Sequence, residues 1–204
     1  MKKSLIIGAG ILVVLGLGAM GSSKDHGQSH PKEESSKKVS SSSTQTVVKK
    51  SNITVNNFDK IVLGSNGTSK SDVEKMFDKQ PASTSQSQLN GTSVELCTWH
   101  GVEGQGVTSF VTVQYQNGRA VGKSISGLKN PSKVSLNQYN NIPGNESETA
   151  LIKFLGNPEG KSYANIGGVQ STTLTYKGNG GIGSSAVVTI TNGSVVSKSQ
   201  TDLK

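Results

Sequence analysis

Residues 178–183 read Gly-Asn-Gly-Gly-Ile-Gly and satisfy G-x-G-x-x-G. In that spacing a glycine-rich turn can lay backbone N–H groups against a pyrophosphate, provided a strand precedes the turn and a helix follows it. Here alternating apolar residues on both sides predict strands, so a dinucleotide site is rejected. His26 and His30 stand at i, i+4, a spacing that holds a metal on one helix face, but they lie in a Ser/Lys/Gln-rich stretch where no helix is expected. His100 follows Trp99 where a predicted strand meets a glycine-rich loop. Serines are abundant, yet no nucleophile-elbow pattern occurs and no carboxylate stands out to orient His100, so no Ser-His-acid triad is assigned. Asp72, Glu74 and Asp78 fall on a predicted helix, where capping, the helix dipole and solvation account for them. Glu95 and Glu103 lie near Trp99 without a counterpart pair. The residues therefore offer no catalytic set, no metal ligands and no cofactor.

The one cysteine, Cys97, rules out an internal disulfide. Flanked by Leu96 and Trp99, it is expected to be buried and inert, with an intermolecular bridge as the lesser alternative.

Few residues of the chain's first quarter can join a core. Lys2 and Lys3 precede an uncharged apolar run from Leu5 to Leu17, and Ala19-Met20-Gly21 offers small residues for cleavage. Residues 1–21 read as an export signal, either cleaved or retained as a short anchor, and either reading places the rest of the chain outside the membrane. No cysteine follows the run, so lipid attachment to cysteine is excluded. Residues 22–50 are rich in Ser, Lys and Gln, with three apolar residues, all Val. Such a segment cannot bury enough surface to offset the entropy of ordering it, and it reads as a disordered tether.

Of the net charge of +8, residues 1–50 hold +5 and residues 51–204 hold +3. A nucleic-acid binder would concentrate charge and aromatics on its folded surface, which argues against that class. The tether's lysines suit contact with anionic wall polymer or lipid headgroups, or they serve as a solubilising linker.

The elements that would position any site come in two similar sets. Phe58-Asp59-Lys60-Ile61 matches Tyr139-Asn140-Asn141-Ile142. Val73, Met76 and Phe77 match Ala150, Lys153 and Phe154, Gln80-Pro81 matches Asn157-Pro158, and Thr98-Trp99 matches Thr175-Tyr176. Asn117-Gly118 matches Asn192-Gly193, and Leu128 matches Leu203. Gly101, Gly104 and Gly106 stand opposite Gly178, Gly181 and Gly183, so glycine at these places reflects loop geometry. The first repeat is read as residues 51–130 and the second as 131–204.

Each copy predicts a short apolar segment, a helix, and three strands. In the first, Ser69 or Ser71 caps a helix whose Val73, Met76 and Phe77 share a face. In the second, Asn145 caps with Glu148 as its N3 partner, Leu151, Phe154 and Leu155 form the apolar stripe, and Gly156 takes the left-handed position after the last turn. The strands are expected at 92–99, 107–115 and 119–126, and at 170–177, 185–191 and 194–201. Asn117-Gly118 and Asn192-Gly193 read as type I′ hairpin turns. Alternation of Val111, Val113 and Tyr115 with Thr112 and Gln114 gives a sheet with one buried face, hence an α+β fold with helices layered on an antiparallel sheet.

On Phe58–Leu63, Ser71–Pro81, Thr98-Trp99, Val111–Val121 and their second-copy partners, the chain resembles the β-lactamase-inhibitor-protein-like (BLIP-like) proteins of Gram-positive bacteria, whose unit fold is shared with the BamE (SmpA/OmlA) type of assembly lipoprotein. The resemblance implies two helix-plus-sheet units whose sheets form one concave face that grips another protein. It differs here in lacking disulfides and a lipidated cysteine. The resulting expectation is an exported, non-catalytic protein-binding module, secreted or held on the outer face of the membrane, whose partner is an envelope or extracellular protein. Trp99, His100, Phe110, Tyr163 and Tyr176 are the candidate contact residues, with core packing the alternative for Trp99 and Tyr176. A surface protein held by its basic tether is the second reading, and a hydrolase the third.

Overall fold

The structure is a computed structural model that describes residues 51–89 and 91–204. The expected signal and tether, residues 1–50 with His26 and His30, lie outside the described residues.

The first half opens on a short helix, α1 (Val55–Asp59), capped by the Thr54 side chain, which accepts from the Asn57 N–H at 3.0 Å. Helix α2 (Lys70–Phe77) follows, with Ser69 at its N-cap. Ser69 Oγ accepts from the Asp72 N–H at 3.2 Å and donates to the Asp72 carboxylate at 2.6 Å, so two of the chain's orphan polar groups satisfy each other. Four strands come next: β1 (Ser83–Leu89), β2 (Thr92–His100), β3 (Phe110–Gln116) and β4 (Arg119–Ser126).

The second half runs β5 (Lys133–Val134), α3 (Leu136–Asn140), α4 (Glu148–Leu155), β6 (Gly160–Ile166), β7 (Val169–Gly178), β8 (Ser185–Thr191) and β9 (Ser194–Thr201). Strand pairing gives one antiparallel path, β1-β2-β3-β4-β6-β7-β8-β9, with β5 parallel to β7. The halves meet where β4 pairs with β6, from Gly122 opposite Ala164 to Ser126 opposite Gly160.

Alternation decides which face is buried. Val111, Val113 and Tyr115 on β3 and Ala186, Val188 and Ile190 on β8 are buried, while their neighbours are half-exposed. Two clusters result. One joins Phe58, Val73 and Phe77 of the helices to Cys97, Trp99, Val111 and Val113 of the sheet. The other joins Leu151 and Leu155 to Leu174, Tyr176 and Val188. Each such side chain contributes about 1.5–3 kcal/mol on leaving water. Both hairpins turn through positive φ at Asn117-Gly118 (51° and 73°) and Asn192-Gly193 (49° and 80°), as a type I′ turn requires. A bulge follows each turn, with Val121 extra opposite Gln114/Tyr115 and Val196 extra opposite Thr189/Ile190.

Several sequence expectations need correction. There are four antiparallel strands in each half, not three: β1 and β6 were missed because S-T-S-Q-S-Q-L and G-K-S-Y-A-N-I show no apolar alternation. In the short apolar segments that open the halves, Phe58 and Tyr139 lie on helices α1 and α3, and Ile61, Leu63 and Ile142 follow them without regular structure. Helix α4 is capped by Ser147, whose Oγ accepts from the Ala150 N–H at 3.2 Å, and not by Asn145. Glu148 is therefore the first helical residue, and its carboxylate serves a tertiary contact described below. Gly156 has φ 87° and ψ −161°, an extended conformation outside the left-handed helical region, open to glycine because it has no side chain.

Candidate functional site

The five aromatic and histidine side chains expected to be exposed contacts do not form one site. Trp99 is buried, its ring edge-on to Phe77 at 5.3 Å and its Nε1–H donating to the Lys79 carbonyl at 3.0 Å. Tyr176 is buried in the second cluster. Both sit on the helix-covered face, so core packing is their role in this structure. Tyr163 is half-buried on the same face at the junction of the halves. Its ring lies 6.1 Å from Phe58 and its hydroxyl donates to Glu148 Oε1 at 2.6 Å. Only His100 and Phe110 lie on the opposite face. They are register partners whose rings are 6.1 Å apart, His100 exposed and Phe110 half-buried.

That opposite face has no described helix against it, because the helices' buried residues go into the two clusters. Side chains on it are the alternates of the buried ones. One row crosses the whole sheet in register: Ser83 pairs with Thr98, Thr98 with Thr112, Thr112 with Ser124, Ser124 with Ser162, Ser162 with Thr173, Thr173 with Thr189, and Thr189 with Ser197. All eight strands thus place a hydroxyl in one line. Two of the pairs hydrogen-bond side chain to side chain, Thr98 with Thr112 at 3.0 Å and Thr173 with Thr189 at 3.3 Å. The neighbouring rows, running from Ser85 through Leu96 and Gln114 to Thr191, and from His100 through Phe110, Ser126 and Thr175 to Ser199, hold no Asp, Glu, Lys or Arg. These three rows can accept and donate hydrogen bonds without carrying fixed charge, and Lys177 stands on the same face at the loop end.

Two loops project from one end of this sheet. β2 and β7 run in the same direction, so the β2–β3 loop and the β7–β8 loop emerge together, four strand spacings or about 19 Å apart at ~4.8 Å per strand. They close alike: the Gly101 N–H donates to the Ser109 carbonyl at 2.9 Å and the Gly178 N–H to the Ser184 carbonyl at 2.7 Å. Each carries a wholly exposed branched apolar residue, Val107 and Ile182. Sequence reading missed this pair. The available signal was an apolar residue two positions before the serine that closes each glycine-rich loop, with no core for it to enter.

The glycine-rich loop joins strand to strand, as expected, and offers no helix N-terminus to a phosphate. A Cβ on Gly178 would collide with the Ser184 side chain, and one on Gly180 with the Asp202 carbonyl, so these glycines are demanded by close approach of the backbone. Lys177, beside the loop, pairs with Glu159 at 3.3 Å.

Behind the face, two lysines were also missed. Lys123 Nζ donates to the carbonyls of Phe58, Asp59 and Ile61 at 3.0, 3.0 and 2.9 Å and stands 4.8 Å over the Phe58 ring. Lys198 Nζ donates to the carbonyls of Tyr139 and Asn140 and stands 4.8 Å over the Tyr139 ring. Each adds a cationic donor to the carbonyls at the C-terminal end of the short helix of its half. Burial holds Lys123 below the ordinary lysine pKa. An open cleft of about 390 Å³ beside Lys123 is lined by Asp59, Ile61, Tyr163 and Asn165. Its lysine is already engaged by three carbonyls of the first half, and Glu148 by Tyr163 and by Lys161 at 3.5 Å within the second; the halves touch through the Phe58 and Tyr163 rings and the Lys123 ammonium, 5.4 Å over Tyr163.

Cys97 is buried beside Thr84, and burial pushes its thiol pKa up, which suits an inert thiol. Among the described residues no group of acidic, His or Cys side chains could hold a metal, and no helix is long and apolar enough to cross a membrane.

Burial also pushes the phenols of Tyr115, Tyr163 and Tyr176 above the ordinary tyrosine range. The unfolded chain releases these protons near pH ~10 and the folded chain keeps them, so this stability is whole below that pH and is lost as pH rises above it. Spectrophotometric titration is expected to show these three phenolates appearing together with cooperative alkaline unfolding. Their ionisation in a chain that stays folded would contradict the packing.

The α+β architecture, with helices on one face of a wide antiparallel sheet, is that of the BLIP-like class. One match in three dimensions is a crystal structure from Streptococcus mutans, of a protein described provisionally as a β-lactamase inhibitor: TM-score 0.55, 19% identity, covering 73% of this chain and 95% of that one. At that identity it speaks for the fold. The model of a domain of unknown function, DUF3862, matches residues 49–203, and the chain belongs to that family. None of the curated proteins matches it in sequence.

Proposed function

We propose that the protein is a non-catalytic, inhibitor-like binding module that docks a protein partner on the helix-free face of its sheet, with Val107 and Ile182 as apolar anchors at one end. The observation that carries this reading is the pair of wholly exposed apolar tips on two loops at one end of the sheet, beside three rows of its open face that hold no Asp, Glu, Lys or Arg. Isolated exposed apolar residues are ordinary. Two at matching places on one sheet end suit insertion into a partner, where each apolar side chain gains by leaving water. His100 and Phe110, beside the first loop, belong to this surface.

The two halves are read as copies of one unit, akin to the BamE type, on the recurrence of helix, helix and four strands and of the lysines at 123 and 198. The sheet face is read as concave. Supporting this, Ser171 and Thr173 on that face are only 6% and 5% exposed. The module is placed outside the cell, secreted or held by residues 1–21, and the eight lysines before residue 51 favour a second contact of the tether with anionic wall polymer or lipid.

The test is the double variant Val107→Asp/Ile182→Asp in residues 51–204. Its unfolding free energy should stay within about 0.5 kcal/mol of the parent, because neither side chain packs. Its affinity for an envelope partner, or for a class A β-lactamase, should fall on the order of 100-fold. Undiminished binding by a well-folded double variant counts against the loop tips as anchors. Loss of wall attachment at modest salt, with the variant unaffected, would favour the tether instead.

A further inference from the structure

The two edges of the sheet are guarded unequally. At one edge, β9 carries Lys198, is paired across a bulge, and has the segment at Gly144 against it, where the Val195 N–H donates to the Gly144 carbonyl at 3.0 Å. These are the usual devices that stop an edge strand from pairing with another chain. At the other edge, β1 has none of them. Its seven residues, Ser83-Thr84-Ser85-Gln86-Ser87-Gln88-Leu89, include no charge and no proline, and they pair with β2 in unbroken register. Ser83 to Gln86 and Gln88 are exposed. Among the described residues, no main-chain hydrogen bond reaches β1 from any element other than β2.

We propose that the outer edge of β1 pairs antiparallel with β1 of a second copy of this chain, about a two-fold axis through Gln86. A strand that meets its own copy must be complementary to itself. Centred on Gln86, the pairing sets Ser85 opposite Ser87, Thr84 opposite Gln88, and Gln86 opposite Gln86. Each pair is neutral and able to hydrogen-bond, and no like charges face each other across the axis. The axis lies perpendicular to the sheet, so both helix layers fall on the same side. The hydroxyl faces of two copies then join into one surface, with Ser85 and Ser87 at the seam. Strand pairing alone buries less than the ~1,200 Å² of a stable interface, so the dimer is a weak one that forms in the micromolar to millimolar range. Its bonds are main-chain and neutral, which makes it insensitive to salt.

Sedimentation equilibrium of residues 22–204 and of residues 51–204 tests this; the shorter chain retains both core clusters. Each should show a monomer–dimer equilibrium unchanged between low and high salt. Gln86→Lys places two ammonium groups at the axis and should raise the dimer dissociation constant about tenfold or more. Gln86→Glu should do the same, while an equimolar mixture of the two variants should recover dimer. The mixture separates loss of pairing from loss of folding. A monomer at every concentration overturns the proposal, as does a dimer indifferent to Gln86→Lys. Dimerisation of residues 51–204 alone would mean that the N-terminal segment occupies the edge in the longer chain, and it overturns the proposal as well.

Discussion

Trp99→Ala is expected to destabilise the folded part by about 3–5 kcal/mol, the largest single-residue effect in the chain. Trp99 is wholly buried, packs edge-on against Phe77, and ties the end of α2 to β2 through its bond to the Lys79 carbonyl. Removing the indole leaves a cavity between helix and sheet and strips a carbonyl of its donor. Urea unfolding followed by circular dichroism measures the loss. Tyr176→Phe is the contrast. Its ring fills the corresponding place in the second cluster, but its buried hydroxyl has no hydrogen-bond partner among the described residues. Deleting an unsatisfied buried hydroxyl while keeping the ring should leave stability unchanged or slightly raised. A Trp99→Ala variant as stable as the parent would return Trp99 to the candidate contact residues.

Lys123→Met should cost about 2–4 kcal/mol. The methionine keeps the apolar stem but abandons three carbonyls at the end of α1 and the stacking on Phe58 and Tyr163. Lys198→Met should cost less, because Lys198 is more exposed and makes two such bonds. Thermal unfolding of the two variants ranks them. Folding opposes the charged form of Lys123, since burial lowers its pKa. In the window from that lowered value up to the unfolded value near ~10.4, the unfolded chain binds more protons, so this one group favours folding more as pH rises. The three buried phenols act in the opposite sense above pH ~10 and outnumber it.

The parts of the fold legible in the sequence were those where one face is buried. Val111, Val113 and Tyr115 alternate with polar residues, and so do Ala186, Val188 and Ile190, so β3 and β8 declare both their type and their inward face. Asn-Gly at 117 and 192 fixes the turns through positive φ. β1 and β6 were silent because neither shows apolar alternation: β1 is an edge, and β6 lies at the junction, where Tyr163 alone packs on the first cluster while its hydroxyl and Lys161 meet Glu148. The same junction took Glu148 out of the capping role that its spacing from Asn145 suggested. Trp99 and Tyr176 were candidate contact residues, with core packing the alternative, because each lies near a glycine-rich loop. Their own strands carried the contrary signal, since Trp99 is two residues from Cys97 and Tyr176 two from Leu174, which places each on the inward face. The hydroxyl row was not legible, because it exists only once eight strands are set in register. Val107 and Ile182 matter for the reason that they leave the pattern: they are apolar where no core can receive them.

The central claim is that the sheet face and its two loop tips grip a protein. Titration calorimetry of residues 51–204 against a class A β-lactamase and against envelope proteins retained by the immobilised domain tests it most directly. The account predicts saturable binding with a single stoichiometry, weakened on the order of 100-fold by Val107→Asp/Ile182→Asp and unchanged by Tyr176→Phe. No saturable binding at micromolar concentration, or equal binding by the folded double variant, would contradict it.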